Sequence, residues 1–202
     1  MAISTYTELL TAAANWLSRA DLTSRIPEFV TLAQARINRQ VRARAMETKS
    51  TTITIDAEYE DVPADFLEAK HFYLTSTSPR KTLEYMSVEE MTNSYNSSDE
   101  CKYFTVVGSQ FRFAPPPAGS YTATLIYHAK PATLATTTQE TNTLFPTNVD
   151  LYLYATLLEA EAFIQNDPRL AVWKQGYDEA LHQINKAANN SRYGGAMVTR
   201  PG

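Results

Sequence analysis

The sequence predicts an α+β fold: a four-helix bundle-like core from the N- and C-terminal helices, with a small antiparallel β module inserted between them. Three observations predict it. Apolar residues recur at three- and four-residue steps near both ends of the chain, as on one face of a helix. Between them the pattern switches to short alternating runs rich in Thr, Tyr and Pro. Charge follows the same division: residues 1–50 carry seven Lys+Arg against four Asp+Glu, residues 51–145 six against twelve, and residues 146–202 five against six. The expected organisation is a helical core from 1–50 and 146–190, a β-rich insertion at 51–145, and a flexible C-terminal arm at 191–202.

The first helix opens at Thr5, which has capping-box spacing to Glu8: the hydroxyl accepts from the third helical amide while the carboxylate reaches back. Tyr6, Leu9, Leu10, Ala13 and Leu17 then form one stripe. Asp21 to Arg25 reads as a short polar connection. Pro27 suits the first turn of a second helix, where its missing N–H costs nothing. With no Gly or Pro to stop it, that helix is expected to run to about Glu47, its stripe being Ile26, Val30, Ala33, Ile37 and Val41.

The middle block begins with the β-branched run Thr51 to Ile55, a strand signal. Further strands are expected at about 67–75 and 81–86. Ser87 and Glu90 repeat the capping-box spacing and open a short helix to about Tyr95. Strands at 103–107 and 110–114 flank Gly108-Ser109, a hairpin signal. Three prolines from Pro115 end that run, and Tyr121 to Lys130 alternates as a strand. Residues 132–143 form a threonine-rich loop.

Thr147 or Asn148 is placed to cap a helix from Val149 to Gln165, which is apolar on most sides and so expected to be the most buried. Asp167 as N-cap and Pro168 at the first position restart the chain. The last helix has its stripe at Leu170, Trp173, Tyr177, Ala180, Leu181, Ile184 and Ala188, and so short a connection predicts an antiparallel hairpin. Past Ser191 the period stops: three glycines, a proline and no acidic residue follow, and a mobile tail is expected.

Composition bounds the function. The chain has 202 residues, 44% apolar and 20% charged, as in an ordinary soluble domain. No apolar run approaches the length of a membrane span. Glu8 and Asn15 interrupt the first apolar stretch, which also lacks a basic lead, so it does not read as a signal peptide. One cysteine, Cys101, excludes an internal disulfide framework and a cysteine-based zinc site. The net charge of −4 argues against a dedicated nucleic-acid binder.

Catalytic chemistry finds little to work with. No nucleotide loop, nucleophile elbow or metal-protease motif occurs. His71 lies near Asp65 and Glu68 in a predicted strand, so an acid/base pair is one reading and a surface histidine the other. Asp56, Glu58, Glu60 and Asp61 cluster in a turn without the glycine and final glutamate of a calcium loop, which favours a solvated turn over a cation site. Glu100 beside Cys101 raises rather than lowers a thiol pKa. No cofactor, metal ligand set or catalytic residue is expected, and the chain is not read as an enzyme.

Two features point to binding. Four arginines and no lysine fall between residues 36 and 44. On a helix, Arg39 and Arg42 lie opposite the apolar stripe, Arg36 lies at its flank and Arg44 nearer the apolar side. This is either a solvated face or a surface for phosphates or a neighbouring subunit, which the planar guanidinium suits. The tail sets Tyr193, Met197 and Val198 between Arg192 and Arg200. Ordering it costs about 1–2 kcal/mol per residue, which docking on a partner offsets, for example by adding a strand to a sheet edge. The competing class is a nucleic-acid-binding helical protein that uses the arginine-rich second helix.

The segments Tyr6-Thr-Glu-Leu-Leu, Asn15-Trp16-Leu17-Ser-Arg-Ala-Asp21-Leu22 and Ile26-Pro27-Glu28-Phe29-Val30, continuing through Ala33-Gln-Ala35-Arg36-Ile37-Asn38-Arg39, resemble the head–tail adaptor (connector) proteins of tailed bacteriophages. The likeness is strongest over 5–47 and extends by architecture to the C-terminal helix pair and tail. It implies a virion protein at the head–tail junction: a homo-oligomeric ring, usually of twelve copies, docked on the portal protein and joined to the next tail or nozzle protein. Double-stranded DNA passes through such a ring without sequence-specific contact. The resemblance implies that Arg192, Tyr193, Gly194, Gly195, Met197, Val198, Arg200 and Pro201 belong to a portal-binding arm. It implies that Arg36, Arg39, Arg42 and Arg44 face a neighbouring subunit or the channel.

Overall fold

The computed structural model describes residues 3–50, 52–95, 97–164 and 167–190. They form two compact units, one from residues up to Met46 and from Pro131 onward, the other from Glu47–Lys130.

The first unit is helical. Helix α1 spans Tyr6–Leu17 and α2 spans Ile26–Gln40, joined by a 3-10 helix over Ala20–Arg25. The capping box at α1 is complete: the Glu8 N–H donates to Thr5 Oγ1 at 3.2 Å and the Thr5 N–H to Glu8 Oε2 at 3.0 Å. Tyr6, Leu9, Ala13 and Leu17 are buried, as the stripe predicts. A second carboxylate supports the same helix end. Glu140, in the loop after Pro131, accepts the Thr7 N–H at 3.0 Å and the Thr7 hydroxyl at 2.9 Å, while its own carbonyl accepts the Tyr6 N–H. Negative charge at a helix N-terminus is favourable there.

In the β unit, helix α3 spans Val88–Ser94, with Ser87 accepting from the Glu90 N–H as expected. Back in the helical unit, α4 spans Val149–Glu159, α5 is the single turn Glu161–Ile164, and α6 spans Leu170–Asn190. Helix α4 is buried on most sides and packs against α1, α2 and α6. Asn148 stands at its N-cap position, but the carboxamide donates instead to the Leu144 carbonyl at 2.9 Å. Asp167 is not the N-cap: it accepts the Arg169 N–H at 2.9 Å within the turn that precedes α6, which begins at Leu170 rather than at Pro168. Helix α6 approaches α4 closely at Gly176, where a Cβ would lie 2.9 Å from the Tyr154 ring.

The second unit is an eight-stranded sheet. Its strands are β1 (Glu47–Lys49), β2 (Ile53–Ile55), β3 (Tyr59–Asp61), β4 (Phe66–Leu74), β5 (Lys81–Tyr85), β6 (Tyr103–Val107), β7 (Gln110–Ala114) and β8 (Tyr121–Ala129). The order is β1-β8-β4-β5-β6-β7-β3, with β2 also pairing β8. All pairings are antiparallel except β5 with β6. The sheet is strongly curled. Strands β4 and β7 stand three places apart in this order, which in a flat sheet would separate them by about 14 Å. Yet Phe66 and Phe111 meet at 5.3 Å between ring centroids, and Phe72 and Phe113 at 5.7 Å. Two register irregularities in β4, between Phe66 and Glu68 and between Ala69 and His71, supply part of the bend. The concave face holds Phe72, Leu83, Phe104, Phe111, Phe113, Leu125 and Tyr127.

These findings correct the expected fold class, a four-helix bundle-like core with a small antiparallel β module. The β part is a mixed, curled eight-stranded half-barrel with its own aromatic core. Strands β1 and β3, with sequences Glu-Thr-Lys and Tyr-Glu-Asp, escape the alternation signal because backbone pairing to β8 and β7 holds them rather than a buried side-chain face. The parallel β5–β6 pair joins residues almost twenty positions apart, beyond the reach of hairpin signals. The helical part is no bundle of four matched rods: α1, α2 and α4 have 12, 15 and 11 residues against 21 in α6. The loop from Pro131 also fills part of the core with Leu134, Leu144 and Phe145. Helix α2 stops at Gln40, not near Glu47.

Candidate adaptor interface

The arginine-rich segment begins on α2 and continues past its end. Arg36, half-buried, donates from Nε to Glu159 Oε1 at 2.7 Å, and its guanidinium lies 5.9 Å from the Tyr177 ring centroid. Arg42 falls beyond the helix, where Nη1 donates to the carbonyls of Asn38 at 3.1 Å and Val41 at 2.7 Å. A cation on the last carbonyls of a helix satisfies acceptors the helix leaves open. Asn185 of α6 completes this terminus, accepting the Arg42 N–H and donating to the Gln40 carbonyl at 3.2 Å. The Tyr177 hydroxyl donates to Gln40 Oε1 at 2.5 Å, and burial raises the Tyr177 pKa.

Arg39 and Arg44 are exposed, and neither forms an ion pair among the described residues. Arg44 borders a shallow groove of about 430 Å3 with Ala43, Thr147, Asn148, Ile184 and Ala188. The four arginines therefore divide into two that brace the fold and two that present charge to solvent. The arm residues Arg192, Tyr193, Gly194, Gly195, Met197, Val198, Arg200 and Pro201 lie outside the described residues.

Three exposed apolar side chains were not read from the sequence. Trp16, Phe163 and Val172 are 44%, 41% and 66% exposed. Arg25 lies 5.1 Å from the Phe163 ring centroid, and Arg169 donates to the Trp16 carbonyl at 2.9 Å while lying 5.0 Å from the Trp173 ring centroid. Aromatic and arginine side chains together are the composition of interface centres. The available signal was Trp16, an aromatic residue standing off the α1 stripe.

The catalytic candidates are not brought together. His71 is exposed and stacks on Tyr73 at 5.2 Å, while Asp65 accepts the Tyr127 hydroxyl at 2.8 Å. In the acidic turn, Glu58 pairs with Arg112 at 2.7 Å, Glu60 accepts the Ala57 N–H at 3.2 Å, and Asp61 accepts from Gln110 Nε2 at 3.0 Å. Among the described residues no cluster of His, Cys, Asp or Glu is arranged to hold a metal ion. Cys101 is buried, and burial followed by the Glu100 charge pushes its thiol up to about 11.

The sequence matches the SU10 adaptor protein family over residues 4–200. The chain belongs to this family. The match covers both structural units and agrees with the head–tail adaptor resemblance of residues 5–47. No curated protein matches it. Membership makes this SU10 adaptor protein a structural component of a phage virion that engages other virion components. No helix among its described residues is long and apolar enough to cross a membrane.

Proposed function

We propose that the protein is the head–tail adaptor at the portal vertex, a ring that joins the capsid to the tail and lines the passage of the genome. The observation that carries this reading is the family match across nearly the whole chain. In it, Arg192, Tyr193, Gly194, Gly195, Met197, Val198, Arg200 and Pro201 form the arm that grips the portal protein. Arg39 and Arg44 face a neighbouring subunit or the channel. Arg36 and Arg42 hold the α2 terminus that presents them. Double-stranded DNA passes without sequence-specific contact, and the next tail or nozzle protein binds the ring below.

The physical basis is multivalency. One arm need bind only weakly, because once a ring has engaged one portal subunit the remaining contacts are effectively intramolecular. No covalent step is needed. The test is the mass of the purified protein alone and with portal rings, for the full chain and for a chain ending at Ser191. The full chain is expected to join the portal as a closed ring, of twelve copies if the family's usual number holds. The shortened chain is expected to stay folded and remain unbound. Portal binding that survives the deletion refutes the arm.

A further inference from the structure

Strand β5 ends before either of its neighbours does. It pairs with β4 only at Phe72–Leu74 and with β6 at Tyr103 and Phe104. Its last ladder contact is the Met86 N–H to the Phe104 carbonyl at 3.1 Å, after which Ser87 turns the chain into α3. On that side, β4 from Phe66 to Ala69 and β6 from Thr105 to Val107 lie beyond the last residue of β5 and have no strand opposite them among the described residues. A pocket of about 330 Å3 lies at this place, lined by Phe66, Leu67, Glu68, Tyr85, Phe104 and Val106. Its walls are mostly apolar, and Tyr85 is 69% exposed. Leu67 is skipped in the β4–β8 register, at the irregularity between Phe66 and Glu68.

From this geometry we infer that the slot takes an extended peptide strand. The guest continues the line of β5, antiparallel to β4 and parallel to β6. A sheet edge offers main-chain donors and acceptors, and pockets beside it select alternate side chains. The occupant is a segment of the tail component bound below the ring, with alternating apolar residues and at least one Lys or Arg. Charge complementarity argues for the basic residue. The β unit, Glu47–Lys130, carries seven Lys+Arg against twelve Asp+Glu. The inference rests on the adaptor reading and names the surface through which the next protein is held.

Amide hydrogen exchange on the full-length protein, free and within neck complexes released from virions, tests it. Residues 66–69 and 105–107 are expected to exchange at least tenfold more slowly in the complex. Two variants, Leu67→Lys and Tyr85→Lys, are expected to melt close to the parent and bind portal rings normally, yet fail to recruit the tail component. A photocrosslinking residue at position 67 is expected to capture the tail component. Tail attachment unaffected by both variants overturns the proposal, as does slowed exchange confined to other strands. A crosslink from position 67 to residues 191–202 of a second copy assigns the slot to that arm and also overturns it. Loss of portal binding in the unaltered protein would instead refute the adaptor reading, so the two failures are distinct.

Discussion

The side-chain oxygen of Asn185, on α6, accepts the backbone N–H of Arg42 at 3.1 Å, just past the end of α2. The same carboxamide donates to the Gln40 carbonyl, so one side chain of a distant helix occupies both kinds of backbone group at that terminus. With Arg42 folded over the carbonyls of Asn38 and Val41, this ends α2 without a glycine or proline.

Replacing Asn185 by Ala is expected to cost about 1–2 kcal/mol, the usual effect of losing a cap. At this chain length each kcal/mol corresponds to about 2–4 °C in Tm. A thermal melt followed by circular dichroism measures the loss, and a Tm equal to the parent's would show that Arg42 alone terminates the helix.

Leu157 is fully buried on α4, the helix that α1, α2 and α6 share. Leu157→Ala is expected to destabilise by about 2–5 kcal/mol through lost burial and the cavity left behind. Leu157→Asp leaves an unpaired charge there and is expected to abolish folding. Urea denaturation midpoints separate these outcomes from a surface substitution, which would shift little.

Cys101 donates its thiol to the Pro115 carbonyl at 3.4 Å and is 1% exposed. With its pKa at about 11 against an ordinary 9.0, the thiolate fraction at pH 8 falls about a hundredfold. A thiol-reactive chromophore is expected to leave the native protein unlabelled and to label it fully in denaturant. Prompt native labelling would contradict the packing of β6 and β7 around it.

The Glu140 carboxyl is held below its ordinary value of 4.5, first by the Thr137 N–H and then by that of Thr7. A depressed folded pKa contributes stability above the unfolded value and loses it as pH falls through the folded one. Acid unfolding of Glu140→Gln is therefore expected to lose part of its pH dependence below about pH 4.5, while the variant is less stable than the parent at pH 7. Parallel stability curves from pH 7 to pH 3 would remove Glu140 from the account.

Much of the local structure was legible in the residues. Thr5 and Glu8 announced α1, Ser87 announced α3, and Gly108-Ser109 placed the hairpin between β6 and β7. Each of these signals acts within a few residues, so nothing distant overrides it. The stripe on α6 and the burial of α4 were legible for the same reason, since helix period and side-chain polarity are local quantities. The adaptor resemblance also lay in the sequence, in segments the family match then embraced.

What escaped the sequence depends on partners far along the chain. The end of α2 is set by Asn185, and the roles of Arg36 and Arg42 by Glu159 and the helix carbonyls. The curl is set by phenylalanines on β4, β6 and β7 meeting across the sheet, and the open slot by where β5 turns away. Composition and periodicity state which residues want burial or pairing. Only the folded chain states which of them find each other, because long-range contacts are chosen by the joint packing of all the elements and not by any one of them.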